Sequence, residues 1–490
     1  MLLNLNIVSP PAAEHSNSAL RLRRSALLIL ALVLGAPAAA AAAGRVTVVQ
    51  TTANLHDALT VKAPQAFVAR RAPGSVVIRV DPSIRYQRIA GFGAAMTDTS
   101  AWLLYDELTP EWRAATINDL FGPGGIGLNF VRIPMAASDY TVASNPYSYD
   151  DLPSTGTDPS MADFSISHDE AYIIPALKQV LAANPNVFTL ATPWSPPPWM
   201  KANDAFDNVG LAGSVLPQYY AALARYFVKF IEDYQAQGVP IDAITPMNEP
   251  NSASTWPGAT LTAAADATFM PQYLAPALAA AGLHPAILGD DDTELADAQA
   301  LLAGSAASTV GGIAFHCYQG MGQMSVLHQQ YPSENIVVSE CAPQIAPYAT
   351  AEVPIDATRN WASAVQLWNL ALDPSGGPHG TIWGCPGCSG LVTVNEPTHT
   401  MLFGLGYFQY GQTTKYVQPG AVRIFSTRIV SDGFGVTPGV DDVAFVNPDG
   451  SKVLVAYNSR ARGARLAVRW GRRFVNWTLP GHGTVTLIWH

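Results

Sequence analysis

The sequence predicts an α/β chain: a (β/α)8 TIM barrel with an accessory antiparallel β-sandwich built from both chain ends. Three observations carry this. Eight short apolar runs with strand character, separated by segments long enough for helices, occupy residues 86–414. Both flanks, 45–85 and 415–490, consist of short β-rich runs split by Gly, Pro, Asn and Asp. Several central runs stop abruptly on acidic, amide or aromatic residues, as strands do where their C-terminal tips line a barrel's site. A doubly wound open sheet is disfavoured, because no Gly-rich phosphate turn follows the first strand.

In chain order, residues 1–43 read as a signal peptide. Basic residues at 21–24 precede an aliphatic run, 25–34, and a small-residue zone, 36–43. The apolar core is too short to span a bilayer comfortably. The expectation is a secreted protein, extracellular or periplasmic, starting near Gly44 and with no stable membrane insertion after leader removal. Alternating runs at 45–50 and 75–80 then give the N-terminal part of the sandwich. Within the barrel, strands are expected at 89–94, 128–134, 187–192, 241–246, 286–289, 312–316, 336–339 and 365–370. Helices are expected between them, as at 110–120, 170–183, 217–237 and 271–281. The C-terminal part of the sandwich contributes strands at 442–447, 452–457, 465–470 and 484–489.

Composition narrows the function classes. Hydrophobic residues make up 49% of 490 and charged ones 13%, enough core for more than one domain and little for disorder. The net charge of −10, with no basic run after residue 24, argues against nucleic acid or an anionic membrane surface as partner. Of the four cysteines, Cys385 and Cys388 are spaced to close a small loop, whereas Cys317 and Cys341 read as small buried hydrophobes. No second cysteine or histidine pair sits at zinc spacing.

Two strands end on a glutamate. Residues 244–251, ITPMNEPN, put Asn248 and Glu249 at the tip of the fourth strand, with Pro246 and Pro250 barring a helix. Residues 335–342, NIVVSECA, put Glu340 at the tip of the seventh. A carboxylate in such a place is costly unless used or paired, and two facing one bond are the apparatus of glycoside hydrolysis. The other tips carry sugar-contacting residue types: Asp98, Arg132 and Asp139, Trp194 and Trp199, His316 and Tyr318, Trp368 and Asn369. Pyranose rings present a C–H face to aromatic rings and hydroxyls to carboxylates and amides. Arg132 reads as a buried partner for a carboxylate rather than a substrate ligand, and His316 lacks the convergent partners a metal needs.

These residues lie in IAGFGAAMTDTSA (89–101), NFVRIPMAASDY (129–140), TPWSPPPWMK (192–201), FHCY (315–318), VVSECA (337–342) and WNLALDPSGGP (368–378). With ITPMNEPN, the set resembles glycoside hydrolase family 30, the glucosylceramidase-like family, in order along nearly the whole barrel. The resemblance implies a retaining enzyme with Glu249 as acid/base and Glu340 as nucleophile, needing no metal or organic cofactor. It implies sugar contacts from Asp98, Trp194, Asn248 and Trp368. The expected substrate is a β-linked glycoside, glucan or glycolipid, with a glucosylceramidase or β-glucosidase activity foremost and an endo-β-1,6-glucanase, xylanase or β-xylosidase as the alternative. The chain departs from the pattern at Leu367, where the glucosylceramidase-like branch has an Asp, and at the insert-like 381–390.

Overall fold

The computed structural model describes residues 44–152, 156–346, 348–380, 383–385, 387–427 and 439–490. The expected leader, 1–43, lies outside the described residues.

The strands in chain order begin with β1 (Arg45–Thr51), β2 (Thr60–Ala66) and β3 (Val76–Arg88). Next come β4 (Gly91–Ala95), β5 (Phe130–Met135), β6 (Phe188–Pro193), β7 (Ala243–Ile244), β8 (Ala286–Asp292), β9 (Gly312–His316), β10 (Ile336–Glu340) and β11 (Ala364–Leu367). These eight close into a parallel barrel in the order β10-β11-β4-β5-β6-β7-β8-β9. A small sheet, β12 (Ala371–Leu372), β13 (Val392–Asn395) and β14 (Thr400–Phe403), comes after the last barrel strand. The chain ends with β15 (Val422–Ser426), β16 (Val440–Val446), β17 (Lys452–Asn458), β18 (Ala464–Trp470), β19 (Arg473–Leu479) and β20 (Thr484–Trp489).

Barrel strands are buried on both faces, as β4, β5, β9 and β10 are at every residue. Gly93 lets β4 reach β5, since a Cβ there would meet the Phe130 carbonyl oxygen at 1.6 Å. Inside, Phe130, Leu190, Ala243, Leu288, Ala314, Val337 and Ala364 form an apolar layer, one residue from each of seven strands. Strand periodicity then puts residues two positions further on into the next layer. There the sequence places Arg132, Thr192, Thr245, His316, Ser339 and Gln366, all buried and all polar. The barrel is therefore oil at one level and polar at the next, where all of these side chains but Gln366 are hydrogen-bonded, and that layer is the floor of the site.

Element bounds depart from expectation where proline or the backbone intervenes. β7 is two residues long instead of spanning 241–246, because Pro246 has no N–H to give. The chain nonetheless stays beside β6, with Thr245 N–H donating to Ala191 O and Asn248 N–H to Pro193 O. The helix expected at 170–183 is two, Ser167–Ala171 and Ile173–Ala183, broken at Tyr172. The helix expected at 271–281 is a π-helical turn, Met270–Leu274, followed by Ala275–Ala280.

The two chain ends meet in one nine-stranded sheet, β19-β18-β3-β15-β16-β17-β20-β1-β2. β1 pairs with β20, and β3 lies between β18 and β15, so N-terminal strands are interleaved with C-terminal ones. The β3–β18 pair is parallel within an otherwise antiparallel sheet. Trp470 of β18 and Trp489 of β20 are far apart in strand order, yet their rings meet at 5.4 Å. The sheet therefore folds over itself as a sandwich around Val46, Val48, Ile78, Leu454, Leu466 and Leu487. β2, β15 and β19 were not expected: β2 contains Pro64 and mostly exposed residues, and lies at the edge of the sheet.

Candidate active site

Arg132 of β5 organises the polar layer. Its guanidinium has no exposed surface, so its charge must be matched. Nη1 donates to Glu340 Oε2 at 2.5 Å, and Nη2 donates to Asn248 Oδ1 at 2.7 Å and Asp291 Oδ2 at 2.9 Å. The expectation of a buried carboxylate partner holds, with two carboxylates rather than one. Asp291 is the hub that sequence reasoning missed. Thr245 Oγ1–H and Ser339 Oγ–H each donate to it at 2.6 Å. Burial alone would raise its pKa, but Arg132 and His316 outweigh this and hold it well below the ordinary range. A register shift between Asp290 and Asp292, with φ of +75° and +63° at Asp290 and Asp291, departs from the regular strand at the point where Asp291 joins the network. The signal in the sequence was the acidic run 290–292 directly after an apolar strand.

Glu340 ends β10, and its second oxygen accepts from Tyr318 O–H at 2.7 Å. Glu249 follows β7 in the left-handed region, φ +42°, with its N–H bonded to Asp291 O. Its Oε1 lies 2.8 Å from His316 Nδ1. His316 Nε2 is 3.3 Å from Asp291 Oδ1, an ion-pair contact without hydrogen-bond alignment, and Nδ1 is 3.8 Å from Glu340. Burial would lower the His316 pKa, but the Glu340 charge, the contact with Asp291 and the bond to Glu249 hold it well above the ordinary value. Glu249, His316 and Glu340 bring one donor atom each within 4.8 Å of one another.

One wall is aromatic. Trp194 and Trp368 stack at 5.1 Å, Tyr140 meets Trp368 edge-on at 6.0 Å, and the Arg132 guanidinium lies 4.7 Å from the Trp194 ring. Trp199 is in a different place, edge-on to Tyr219 in the outer core. Asn369, φ +50°, accepts from Thr97 O–H.

Asp98 does not join the pair. Instead of projecting from a strand tip, it opens the helix Asp98–Trp102, capped by Thr97. Its oxygens accept from Val142 N–H (2.8 Å) and Tyr172 O–H (2.8 Å) and contact His168 Nε2 (2.6 Å). Asp139, which follows β5, lies within reach of the charges of both glutamates. It is surrounded by protein yet keeps part of its surface open, and burial, Glu340 and Glu249 push its pKa well up.

The cysteines correct another expectation. Cys317 and Cys341 are bridged, because they follow His316 and Glu340, which are register partners on adjacent parallel strands, and their Cα atoms are 5.2 Å apart. Cys385 and Cys388 are also paired. The 381–390 segment reaches the aromatic wall through its described residues. Cys385 N–H donates to Tyr140 Oη, and Trp383 indole N–H to Thr255 O.

This geometry matches what comparison with known proteins finds. The model of the glycosyl hydrolase family 30 TIM-barrel domain matches residues 89–384, and that of the family 30 beta sandwich domain residues 420–487. An endo-1,6-beta-D-glucanase of Trichoderma harzianum is 33% identical over 76% of this chain and 78% of its own length. The lysosomal acid glucosylceramidase of Mus musculus is 26% identical over 86% of this chain and 85% of its own. Among solved structures, the endo-beta1,6-glucanase BT3312 superposes with a TM-score of 0.78 at 28% identity, covering 91% of this chain and 99% of that one. The chain belongs to glycosyl hydrolase family 30 and is a retaining glycosidase acting on O-glycosyl bonds.

Proposed function

We propose that this enzyme hydrolyses β-glucosidic bonds to primary alcohol oxygens, and that its substrate is a β-1,6-linked glucan. For the chemistry, the observation that carries the reading is the closeness of Glu249 and Glu340, whose oxygens approach within 4.8 Å. A retaining pair stands about 5–5.5 Å apart, whereas an inverting pair needs room for water between. Glu340, oriented through both oxygens by Arg132 and Tyr318, attacks the anomeric carbon. Glu249 protonates the departing oxygen, then takes a proton from the water that releases the sugar. Asn248, fixed by Arg132, is placed to hold a hydroxyl beside the reacting carbon. Trp194 and Trp368 give the sugar its apolar wall, and Asp139 takes the hydroxyl contacts first assigned to Asp98.

For the substrate, identity favours the glucanases: 33% to the enzymes of Trichoderma harzianum and Neurospora crassa, against 26% to the mouse glucosylceramidase. Glucosylceramide, foremost in the sequence reading, is the second reading, supported by that alignment over 86% of this chain. Both are β-glucosides of a primary alcohol, so one acid/base arrangement serves either. Product analysis on a β-1,6-glucan and on glucosylceramide, at matched enzyme concentration, separates them. Release of oligosaccharides from the glucan with little ceramide formed supports the first reading, and the reverse supports the second. The disulfides support secretion, since such bonds persist in oxidising compartments. Among the described residues, no helix is long and apolar enough to cross a membrane.

A further inference from the structure

The loop that follows Glu249 carries an aromatic ring with no task in the chemistry described above. Trp256 lies seven residues beyond Glu249 and is half-buried. It packs against the cluster of Ala95, Tyr140, Trp194, Ala342, Trp368 and Leu372, which contains the aromatic wall. Among the described residues no ring stacks on it and nothing accepts its indole N–H, which is not sealed from solvent. Trp383 differs, because its N–H is taken up by Thr255 O at 3.0 Å. Buried indole N–H groups usually find a partner, and a tryptophan with one end packed and the other wet is the form used at binding surfaces.

The loop around this ring is held on both sides. Asn208 donates its backbone N–H to Ser254 O at 3.0 Å and its Nδ2–H to Ser252 O at 2.9 Å. Ser254 Oγ–H donates to Trp256 O at 3.0 Å, in space left by Gly258, where a Cβ would meet that hydroxyl oxygen at 2.3 Å. Gly258 is tied in turn: its N–H donates to Phe206 O, and its O accepts from the buried Lys201 ammonium at 2.6 Å. The backbone under the ring is therefore set before substrate arrives, and little ordering cost is left for binding.

Placement decides which part of a substrate the ring meets. Glu340 and Asn248 serve the sugar that stays on the enzyme, whereas Glu249 protonates the oxygen that departs with the other half. A ring on the loop of Glu249, packed beside the sugar wall, meets the departing half. We propose that Trp256 is the platform for the leaving group, stacking on the glucosyl unit whose primary oxygen Glu249 protonates, and that it sets the preference for a saccharide in that position. This assignment rests on the β-1,6-glucan reading above.

The test compares Trp256→Ala and Trp256→Phe with the parent on a β-1,6-linked glucotriose, on β-glucosyl fluoride and on glucosylceramide. Fluoride departs without a sugar, so that substrate reports on the barrel chemistry alone. On the trisaccharide, kcat/KM of the alanine variant should fall about tenfold or more, as when an aromatic anchor is truncated. On the fluoride, both variants should stay within about twofold of the parent, since no contact used by that substrate is lost. The phenylalanine variant should recover most of the trisaccharide activity. The proposal is overturned by equal losses on trisaccharide and fluoride, by no loss on either, or by a phenylalanine variant as poor as the alanine one. A parent that cleaves glucosylceramide and leaves the trisaccharide intact defeats the β-1,6-glucan reading itself, and this assignment with it, so the parent's own rates tell the two failures apart.

Discussion

Arg132 Nη1 and Glu340 Oε2 meet at 2.5 Å, and the same guanidinium holds Asn248 and Asp291. One side chain from the second barrel strand thus fixes groups at the ends of the fourth, fifth and seventh. Lysine carries the charge but not the planar fork, and cannot serve three acceptors in these directions. Arg132→Lys should therefore lower kcat by a hundredfold or more, at about 2.7 kcal/mol. Arg132→Met should also unfold more easily by about 3–5 kcal/mol, since it leaves Asp291 and Glu340 buried without their cation. Urea unfolding curves and kinetics on an aryl glucoside check both. A lysine variant of near-normal kcat would contradict the role given to the fork.

The two glutamates should separate by leaving group. Glu249→Gln should retain much of its rate on a dinitrophenyl β-glucoside, which departs without a proton, and lose it on a β-1,6-glucan. Glu340→Gln should lose both. The ratio of kcat/KM values on the two substrates is the readout, and equal losses for Glu249→Gln would argue against its role as acid.

Asp139 ties activity to stability. Its pKa is raised by burial and by Glu340 and Glu249, so the folded state favours its protonated form. That contribution is fully present below the ordinary carboxylate pKa and is lost as pH rises through the raised folded value. Asp139→Asn should therefore raise the melting temperature at pH 7 and leave it unchanged near pH 3. If Asp139 binds sugar hydroxyls, kcat/KM on a β-glucoside should fall by about 2- to 12-fold, the loss of one hydrogen bond to a protonated carboxyl, about 0.5–1.5 kcal/mol. A rise in stability without a loss of activity would remove Asp139 from the sugar site.

The buried disulfide has its own consequence. Cys317 and Cys341 close a loop with a sequence separation of 24. Replacing both by alanine should cost about 3 kcal/mol by restoring chain entropy to the unfolded state. Denaturant midpoints with and without reductant check this. A variant as stable as the parent would return these cysteines to the apolar role first expected of them.

The barrel was legible because its strands announce themselves by apolar runs, and their tips by the acidic, amide and aromatic residues that end those runs. Glu249, Glu340, Trp194, Asn248, His316, Tyr318 and Trp368 all fall in or beside the polar layer, at or just past the ends of barrel strands. Asp98 and Asp139 both lie a few residues past a strand, and the local pattern does not tell their places apart. Only the backbone shows that a helix begins at Asp98. Asp291 was hidden by a bulge, which breaks the two-residue period on which the reading depends. Cys317 and Cys341 were misread because their pairing depends on the register of β9 against β10, and no local pattern encodes that.

The most direct test of the central claim is to find which residue takes the sugar. The intact enzyme is incubated with a 2-deoxy-2-fluoro β-glucoside carrying a good leaving group, digested, and the peptides are read by mass spectrometry. The account predicts a single fluoroglucosyl adduct on Glu340. An adduct on Glu249 or Asp139, or turnover with inversion and no adduct, would contradict it.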